Sequence, residues 1–427
     1  MLYSQAISYL ESFINFEKVP SYRYKQSLRL ERIKQFLSLL DNPQDDLKCI
    51  HVAGTKGKGS TCAFIAYILK EAGYKVGFYT SPHLADLRER IRILPGAEKN
   101  EFEGMIPRPA LKKLVEKLKP KIEKYNRNSR YGPLTFFEVY TALALVYFKE
   151  RKVDFAVLET GLGGRLDATN AVNAIVSVIT PISYEHMDKL GKSLKNIACE
   201  KAGIIKNKGS IVVSAPQEKE AQDAIRARCR AIQARLYEIN RYKNLKIRLL
   251  GKHQLINATV AERAIKTLSF YGIKIGIDSI KRGLFNTRWP GRYEVLGRDP
   301  CVIIDGAQNI ASIGALKEAI KDNFSIGKKY KKLILVLGIS SDKDIKGVCL
   351  ELKDLADKII LTKAKSIRAI DPRVLAIYFK DKEKYITNGV MQAKKLSMRL
   401  AEKNDLVLVT GSLFVIGEFK YGKRRFN

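Results

Sequence analysis

The segment His51–Thr61, HVAGTKGKGST, places Lys56 and Lys58 among Gly54, Gly57 and Gly59, between an apolar run, KCIHVA, and a helix-like stretch, TCAFIAYILKEAG. A glycine-rich turn between a strand and a helix lets successive backbone N–H groups converge on an anion, and the helix N-terminus adds partial positive charge. Glycines let the backbone come that close. The strict phosphate-loop spacing GxxxxGK[ST] is not met, because Val52 stands where its first glycine would be and Gly59 separates Lys58 from Ser60. The stretch therefore points to phosphate binding without saying which lysine carries it. The bland alternative is a strand-to-helix turn with incidental lysines. A second chemical signal is Glu159, which closes the apolar run DFAVLET. Open parallel sheets hold ligand-handling groups at the carboxyl ends of their strands.

The elements that would position these residues read as an α/β protein. From Cys49 onward, runs rich in Val, Ile and Phe (KCIHVA, KVGFYT, DFAVLET, AIVSVIT, SIVVSA) alternate with helical periodicity. That alternation is the signature of a mostly parallel sheet flanked by helices. FFEVYTALALVYFKER is apolar nearly all round and predicts a buried helix, while the helix after the glycine loop is expected to begin near Ser60. The polar stretch from Gly96 to Gly132, with Pro107, Pro109 and Pro120, reads as a surface excursion. Periodicity lapses again over 286–300, where Pro290, Gly291, Gly297 and Pro300 cluster. This stretch is the expected linker between a larger, phosphate-loop-type domain, 1–290, and a smaller Rossmann-like α/β domain, 298–427, with strands CVIIDGA, KLILVLG, KIILTK and DLVLVTG.

Length and composition fit this division. A chain of 427 residues exceeds what one core usually organises. A formal net charge of +33 suits polyanionic partners, either nucleic acid or phosphate-bearing substrates. Stretches such as LKKLVEKLKPKIEKYNRNSR interleave the lysines with acidic residues, which favours solvated helix faces over a nucleic-acid patch. The six cysteines form no CxxC and lie far apart, so neither a zinc cluster nor a disulfide framework is expected. The opening MLYSQAISYLESFINFEKVP carries Glu11 and Glu17 within its apolar pattern, unlike a signal peptide, and no apolar run would span a bilayer. The expectation is a cytoplasmic chain, monomeric, with no membrane and no nucleic-acid partner.

The loop IHVAGTKGKGS resembles the phosphate loop of the folylpolyglutamate synthase and dihydrofolate synthase family, a branch of the Mur-ligase superfamily. Similar signatures follow in order: TSPHL (80–84), ERIRI (89–93), FFEVYTALAL (136–145), LETGLGGRLDATN (158–170), ISYEHMDKLG (182–191) and IACEKAGIIK (197–206). WPGR (289–292), DGAQN (305–309), DKD (342–344) and VTGSL (409–413) continue the match, and LERIKQFLSLLDNP resembles the family's N-terminal helix. The resemblance implies an ATP-dependent amide ligase that phosphorylates a carboxylate and lets glutamate's amine displace phosphate. Its substrates would be ATP, L-glutamate and a folate or dihydropteroate. Positioning and charge neutralisation would then be the protein's main tasks.

By the same resemblance, Lys58 reaches the β and γ phosphates while Thr55, Gly57, Gly59 and Ser60 cradle them. Ser60 or Thr61 could also cap the following helix. Lys56 stands where the family usually carries asparagine and is expected to face solvent. Ser81, Glu159 and His186 match magnesium ligands, the histidine being unusual for a cation that prefers oxygen. Lys201 matches a lysine carbamylated in the family, which would add an oxygen ligand near a second magnesium. Lys58, Lys201 and His186 are thus the expected catalytic residues. Asn257, Arg292, Asp305 and Gln308 resemble nucleotide contacts at the domain interface, with the linker as a hinge, and Ser412 resembles a glutamate contact. Gln308 departs from the family's usual histidine. The glycines of TGLGGRLDATN would bring backbone close to metal and phosphates, whereas Asp167 and Asn170 show nothing beyond turn chemistry. Two other readings stand beside this one: a basic nucleic-acid-binding NTPase, and another Mur-type amino-acid ligase.

Overall fold

The computed structural model describes residues 1–19, 22–96, 101–324, 326 and 330–422. It falls into two units. The first holds Met1–His83, Leu87–Arg248 and Leu255–Arg288; the second holds Leu84–Asp86, Leu249–Gln254 and Trp289–Asn427.

The first unit is built on seven strands: β1 Cys49–Ala53, β2 Val76–Tyr79, β3 Ile91–Leu94, β4 Phe155–Glu159, β5 Ala174–Ile179, β6 Ile211–Ser214 and β7 Arg235–Glu238. Their order is β3-β2-β4-β1-β5-β6-β7. β3 runs antiparallel to β2, and the other pairs are parallel. β1, β2 and β4 are buried along their whole length, which is why they read as unbroken apolar runs. The chain leaves β1 toward β2 on one side and leaves β4 toward β5 on the other side of β1. Connections that diverge in this way leave a crevice at the carboxyl ends of the central strands. Register sets Val52 beside Glu159 and Ala53 beside Ile179, so the ends of β4, β1 and β5 lie level around the glycine loop.

The helix Phe136–Glu150 is buried along nearly its whole length, as its composition predicts. Thr135 and Glu138 form a capping box at its start, and Arg32 Nε donates to both Glu138 carboxylate oxygens at 2.8 and 2.9 Å. The stretch expected as a surface excursion is different. Arg108–Asn128 is a 21-residue helix whose Leu111, Leu114, Val115, Leu118, Ile122 and Tyr125 are buried. Pro109 lies at its first turn, where a missing N–H costs nothing, and Pro120 is accommodated inside it. These buried residues recur at intervals of three and four, an amphipathic period interspersed with prolines and lysines. Residues 97–100 of that stretch lie outside the described residues.

The second unit carries β8 Glu294–Arg298, β9 Cys301–Ile304, β10 Leu333–Leu337, β11 Lys358–Leu361, β12 Glu383–Ile386 and β13 Leu406–Thr410, ordered β12-β11-β10-β13-β9-β8. β8 is antiparallel to β9 and the rest are parallel. The expected linker thus contains a strand. Its register shifts between Val295 and Gly297, and that irregularity is what broke the periodicity. Both units are α/β with mostly parallel sheets, as expected. Among the described residues, no helix is long and apolar enough to cross a membrane.

Candidate functional site

The helix after β1 begins at Lys58, two residues earlier than expected, and runs to Glu71. Its N-cap is Gly57 at φ +79°, so Ser60 and Thr61 occupy the third and fourth helical positions and neither caps. The opening amides, those of Lys58, Gly59 and Ser60, have no carbonyl one turn behind them inside the helix and stand at its positive end. Gly57 has two reasons to be glycine: its positive φ, and the buried Asn257 side chain, whose Oδ1 would lie 2.2 Å from an added Cβ. At Gly54, with φ +150°, a Cβ would fall 1.9 Å from Thr180 Oγ1. The structure thereby joins Asn257 to the loop.

Thr55 and Lys56 have another task. Their amides both donate to Pro181 O, at 3.0 and 3.2 Å. Thr55 Oγ1 donates to Ser183 O at 3.2 Å and accepts from Ser183 N at 3.1 Å. This corrects the expectation that the Thr55 amide cradles phosphate: it laces the glycine loop to the segment after β5. Lys56 is also not a solvent residue. It is half-buried, and burial lowers its ammonium pKa while the charge of Glu185 opposes the shift. Because the backbone does the lacing, Lys56→Asn is expected to keep turnover within about 3-fold of the parent in steady-state assays, the size of one weak, partly solvated charge contact. A loss beyond tenfold would give the Lys56 side chain a direct role.

Lys58 and Lys201 meet at one acceptor. Lys58 Nζ donates to Gly54 O at 3.3 Å, and Lys201 Nζ donates to the same oxygen at 2.8 Å. Lys201 lies on the helix Leu194–Ala202 and is 4% exposed. Burial, reinforced by the Lys58 charge, lowers its pKa to about 7 against the pull of Glu185 and Asp167. The glycine-rich loop after β4 packs on this helix. A Cβ on Gly164 would lie 2.7 Å from Lys201 O and 2.9 Å from Glu200 O, and Arg165 N donates to Glu200 O at 2.8 Å. At Gly164 the close approach is therefore to the backbone that carries Lys201.

Asp167 does more than make a turn. Its buried Oδ2 accepts from Gly161 N at 3.0 Å and Leu162 N at 2.9 Å, and its Oδ1 accepts from Thr169 N at 3.0 Å and from Thr169 Oγ1 at 2.5 Å. Asn170 Nδ2 donates to Arg165 O at 3.1 Å and Gly203 O at 3.2 Å, tying the loop to the same helix. The Asx pattern D-x-T was the available signal in the sequence.

Glu159 is buried at the end of β4, and Ser81 N donates to its Oε2 at 3.2 Å, which brings two of the expected metal ligands together. His186 is half-buried at φ +51°, heading the turn Met187–Leu190, just past the segment laced to Thr55. Among the described residues no group of three His, Cys, Asp or Glu is gathered for a metal. One carboxylate, one hydroxyl and one imidazole is a different donor set, and its two oxygen donors suit magnesium.

In the second unit, Arg292, Asp305, Gln308 and Ser412 cluster where β9 and β13 end side by side. Asp305 Oδ2 accepts from Tyr293 N and its Oδ1 from Ala307 N, both at 2.8 Å. A Cβ on Gly306 would lie 2.5 Å from a terminal nitrogen of Arg292, so this glycine keeps the guanidinium in place. Gln308 is half-buried and its backbone N–H donates to Ser312 Oγ at 3.1 Å. Ser412 Oγ accepts from Phe414 N at 3.2 Å, capping the helix Leu413–Tyr421. Its hydroxyl thus has a structural duty that the sequence reading did not foresee.

Residues 291–413 match the Mur ligase, glutamate ligase domain, and residues 122–244 match the Mur ligase middle domain. The dihydrofolate synthase/folylpolyglutamate synthase of Bacillus subtilis is 32% identical, with 98% of each chain covered. A Mycobacterium tuberculosis folylpolyglutamate synthase solved with ADP superposes at a TM-score of 0.85 with 28% identity, covering 98% of this chain and 97% of that one. E. coli FolC solved with DHPP and ADP gives 0.82 at 28% identity, covering 98% and 97%. With a relative 32% identical over 98% of each chain, the chain belongs to the folylpolyglutamate synthase/dihydrofolate synthase family of Mur ligases.

Proposed function

We propose that this chain is an ATP-dependent ligase that joins L-glutamate to the carboxylate of dihydropteroate, of a tetrahydrofolate glutamate, or of both. The observation that carries the reading is the meeting of Lys58 and Lys201 at Gly54 O, beside helix amides with no carbonyl one turn back. The Lys58 charge and the helix N-terminus at a strand end suit a nucleotide's phosphates. The family membership supplies the reaction class.

In the first step an acceptor carboxylate oxygen attacks the γ-phosphorus of ATP, giving an acyl phosphate and ADP. In the second, the glutamate amine attacks the acyl carbon, phosphate leaves with the bonding pair, and the amine loses a proton. Lys58 and the amides of Lys58, Gly59 and Ser60 hold the phosphoryl oxygens, and Gly57 fixes the direction of those amides. Asn257 packs against Gly57 and keeps the turn closed. Arg292 and Asp305 are nucleotide contacts, with Gln308 in place of the family's histidine, and Ser412 is a glutamate contact; their clustering at the strand ends of the second unit supports this. Magnesium, held by Glu159, Ser81 and His186, would neutralise charge on the phosphates when bound. Lys201, buried with its pKa lowered, is suited to carbamylation, in which its neutral amine adds to carbon dioxide and releases a proton. The carbamate would offer an oxygen donor to a second magnesium. Carbon-labelled bicarbonate should then give a carbamate NMR resonance that Lys201→Ala removes. Six cysteines, none in a disulfide among the described residues, support a reducing, cytoplasmic setting.

The test is isotope transfer. Heavy oxygen placed in the acceptor carboxylate is expected in the inorganic phosphate released with each turnover. Departure of that oxygen into water or AMP, with none in the phosphate, would exclude the acyl phosphate.

A further inference from the structure

β1 carries a histidine that this reading has not used. His51 is fully buried, and its Nε2 lies 2.8 Å from Thr169 Oγ1. The Thr169 hydroxyl has one hydrogen, which goes to Asp167 Oδ1 at 2.5 Å, so its lone pair accepts from His51 Nε2–H. This fixes the tautomer: the proton is on Nε2, and Nδ1 is bare, with no partner among the described residues. Burial lowers the imidazole pKa to about 3, which keeps it neutral. Asp167 is also buried, and burial raises its carboxyl pKa while the bonds from Thr169, Leu162 and Gly161 oppose the rise. Those donors suit the ionised form. On the far side of the carboxylate, Oδ2 holds the amides of Gly161 and Leu162, two and three residues past Glu159. On the near side, the chain continues from His51 through Val52 and Ala53 into Gly54, whose carbonyl takes both lysines. Thr160 N also donates to Val52 O at 3.0 Å.

We propose that His51 is a positioning residue: through Thr169 it aims the Asp167 carboxylate at Gly161 and Leu162, and so sets the loop beyond Glu159 relative to the phosphate-loop strand. The proposal rests on the ligase reading for its readout and adds a relay, His51 to Thr169 to Asp167, that acts on the reacting groups at one remove. A core residue would only hold the fold together. A positioning residue changes the chemical step and can be replaced by another donor at the same place.

The experiment measures kcat, the KM for ATP and the thermal midpoint of the full chain with His51→Leu, His51→Gln, Thr169→Val and Thr169→Ser. His51→Leu and Thr169→Val are expected to lower kcat about tenfold at a KM for ATP within about 2-fold of the parent. His51→Gln, which returns a nitrogen donor near Nε2, and Thr169→Ser, which returns the hydroxyl, are expected to recover most of kcat. His51→Leu combined with Thr169→Val should lose no more than the worse single change, because both break one chain. The proposal is overturned if His51→Gln is as slow as His51→Leu, if the double change multiplies the single losses, or if kcat follows the thermal midpoint alone. Should His51→Leu fail to fold, the Thr169 pair decides: equal kcat in Thr169→Val and Thr169→Ser overturns the relay. A parent protein without turnover would instead fault the ligase reading.

Discussion

Lys58→Ala is expected to lower kcat/KM for ATP by about a thousandfold or more, on the scale seen when a preorganised charge at a transferring phosphoryl group is removed. The position explains the size. Lys58 is the first residue of its helix, so its backbone amide and its ammonium serve the same small volume. Its Nζ donates to Gly54 O at 3.3 Å, a long bond that an anion can readily replace. The change also removes a positive charge next to Lys201, whose pKa Lys58 helps to lower. Calorimetry with ADP separates the two effects. A thousandfold kinetic loss with weakened ADP binding fits a phosphate contact, whereas a loss under tenfold would return Lys58 to an incidental lysine.

Gly57→Ala is expected to cost about a hundredfold in kcat/KM for ATP, while Gly73→Ala, at the other end of the same helix, should leave turnover almost untouched. Both glycines have positive φ, +79° and +89°, and an alanine there costs about 1–2 kcal/mol in either place. They differ in what a methyl group meets. At Gly73 nothing lies within 4 Å, but at Gly57 the Asn257 Oδ1 lies at 2.2 Å and its Cγ at 2.9 Å. Relieving that clash means moving either Asn257 or the turn that aims the amides, and both are parts of the site. Combining Gly57→Ala with Asn257→Ala should relieve the overlap but not the backbone strain. Equal losses in the two single variants would show that φ alone matters and that Asn257 does not shape the loop.

The two sheets were legible because strands covered on both faces appear as apolar runs: KCIHVA, DFAVLET and DLVLVTG each lie over the strand they predict. β7 and β12 were not, since an edge strand with exposed and half-exposed residues looks like loop. β8 was lost to its bulge, and the helix Arg108–Asn128 to its prolines. In the site, the loop and the strand-end glutamate follow from residue type and place. Lys58 and Lys201 share a carbonyl across a separation of more than 140 residues, and no local pattern encodes that. The Thr55–Ser183 exchange and the His51–Thr169–Asp167 chain were hidden for the same reason. Hydroxyls and a buried histidine become informative only once the fold brings their partners to them.

The central claim, that this chain ligates glutamate to a folate-type acceptor at the expense of ATP, is tested most directly by ADP release with magnesium, glutamate and either dihydropteroate or tetrahydrofolate. ADP release beyond a single turnover should require acceptor and glutamate together, with one or both acceptors gaining a glutamyl residue by mass spectrometry. ADP release that ignores the acceptor, or no turnover with either acceptor, would contradict the account.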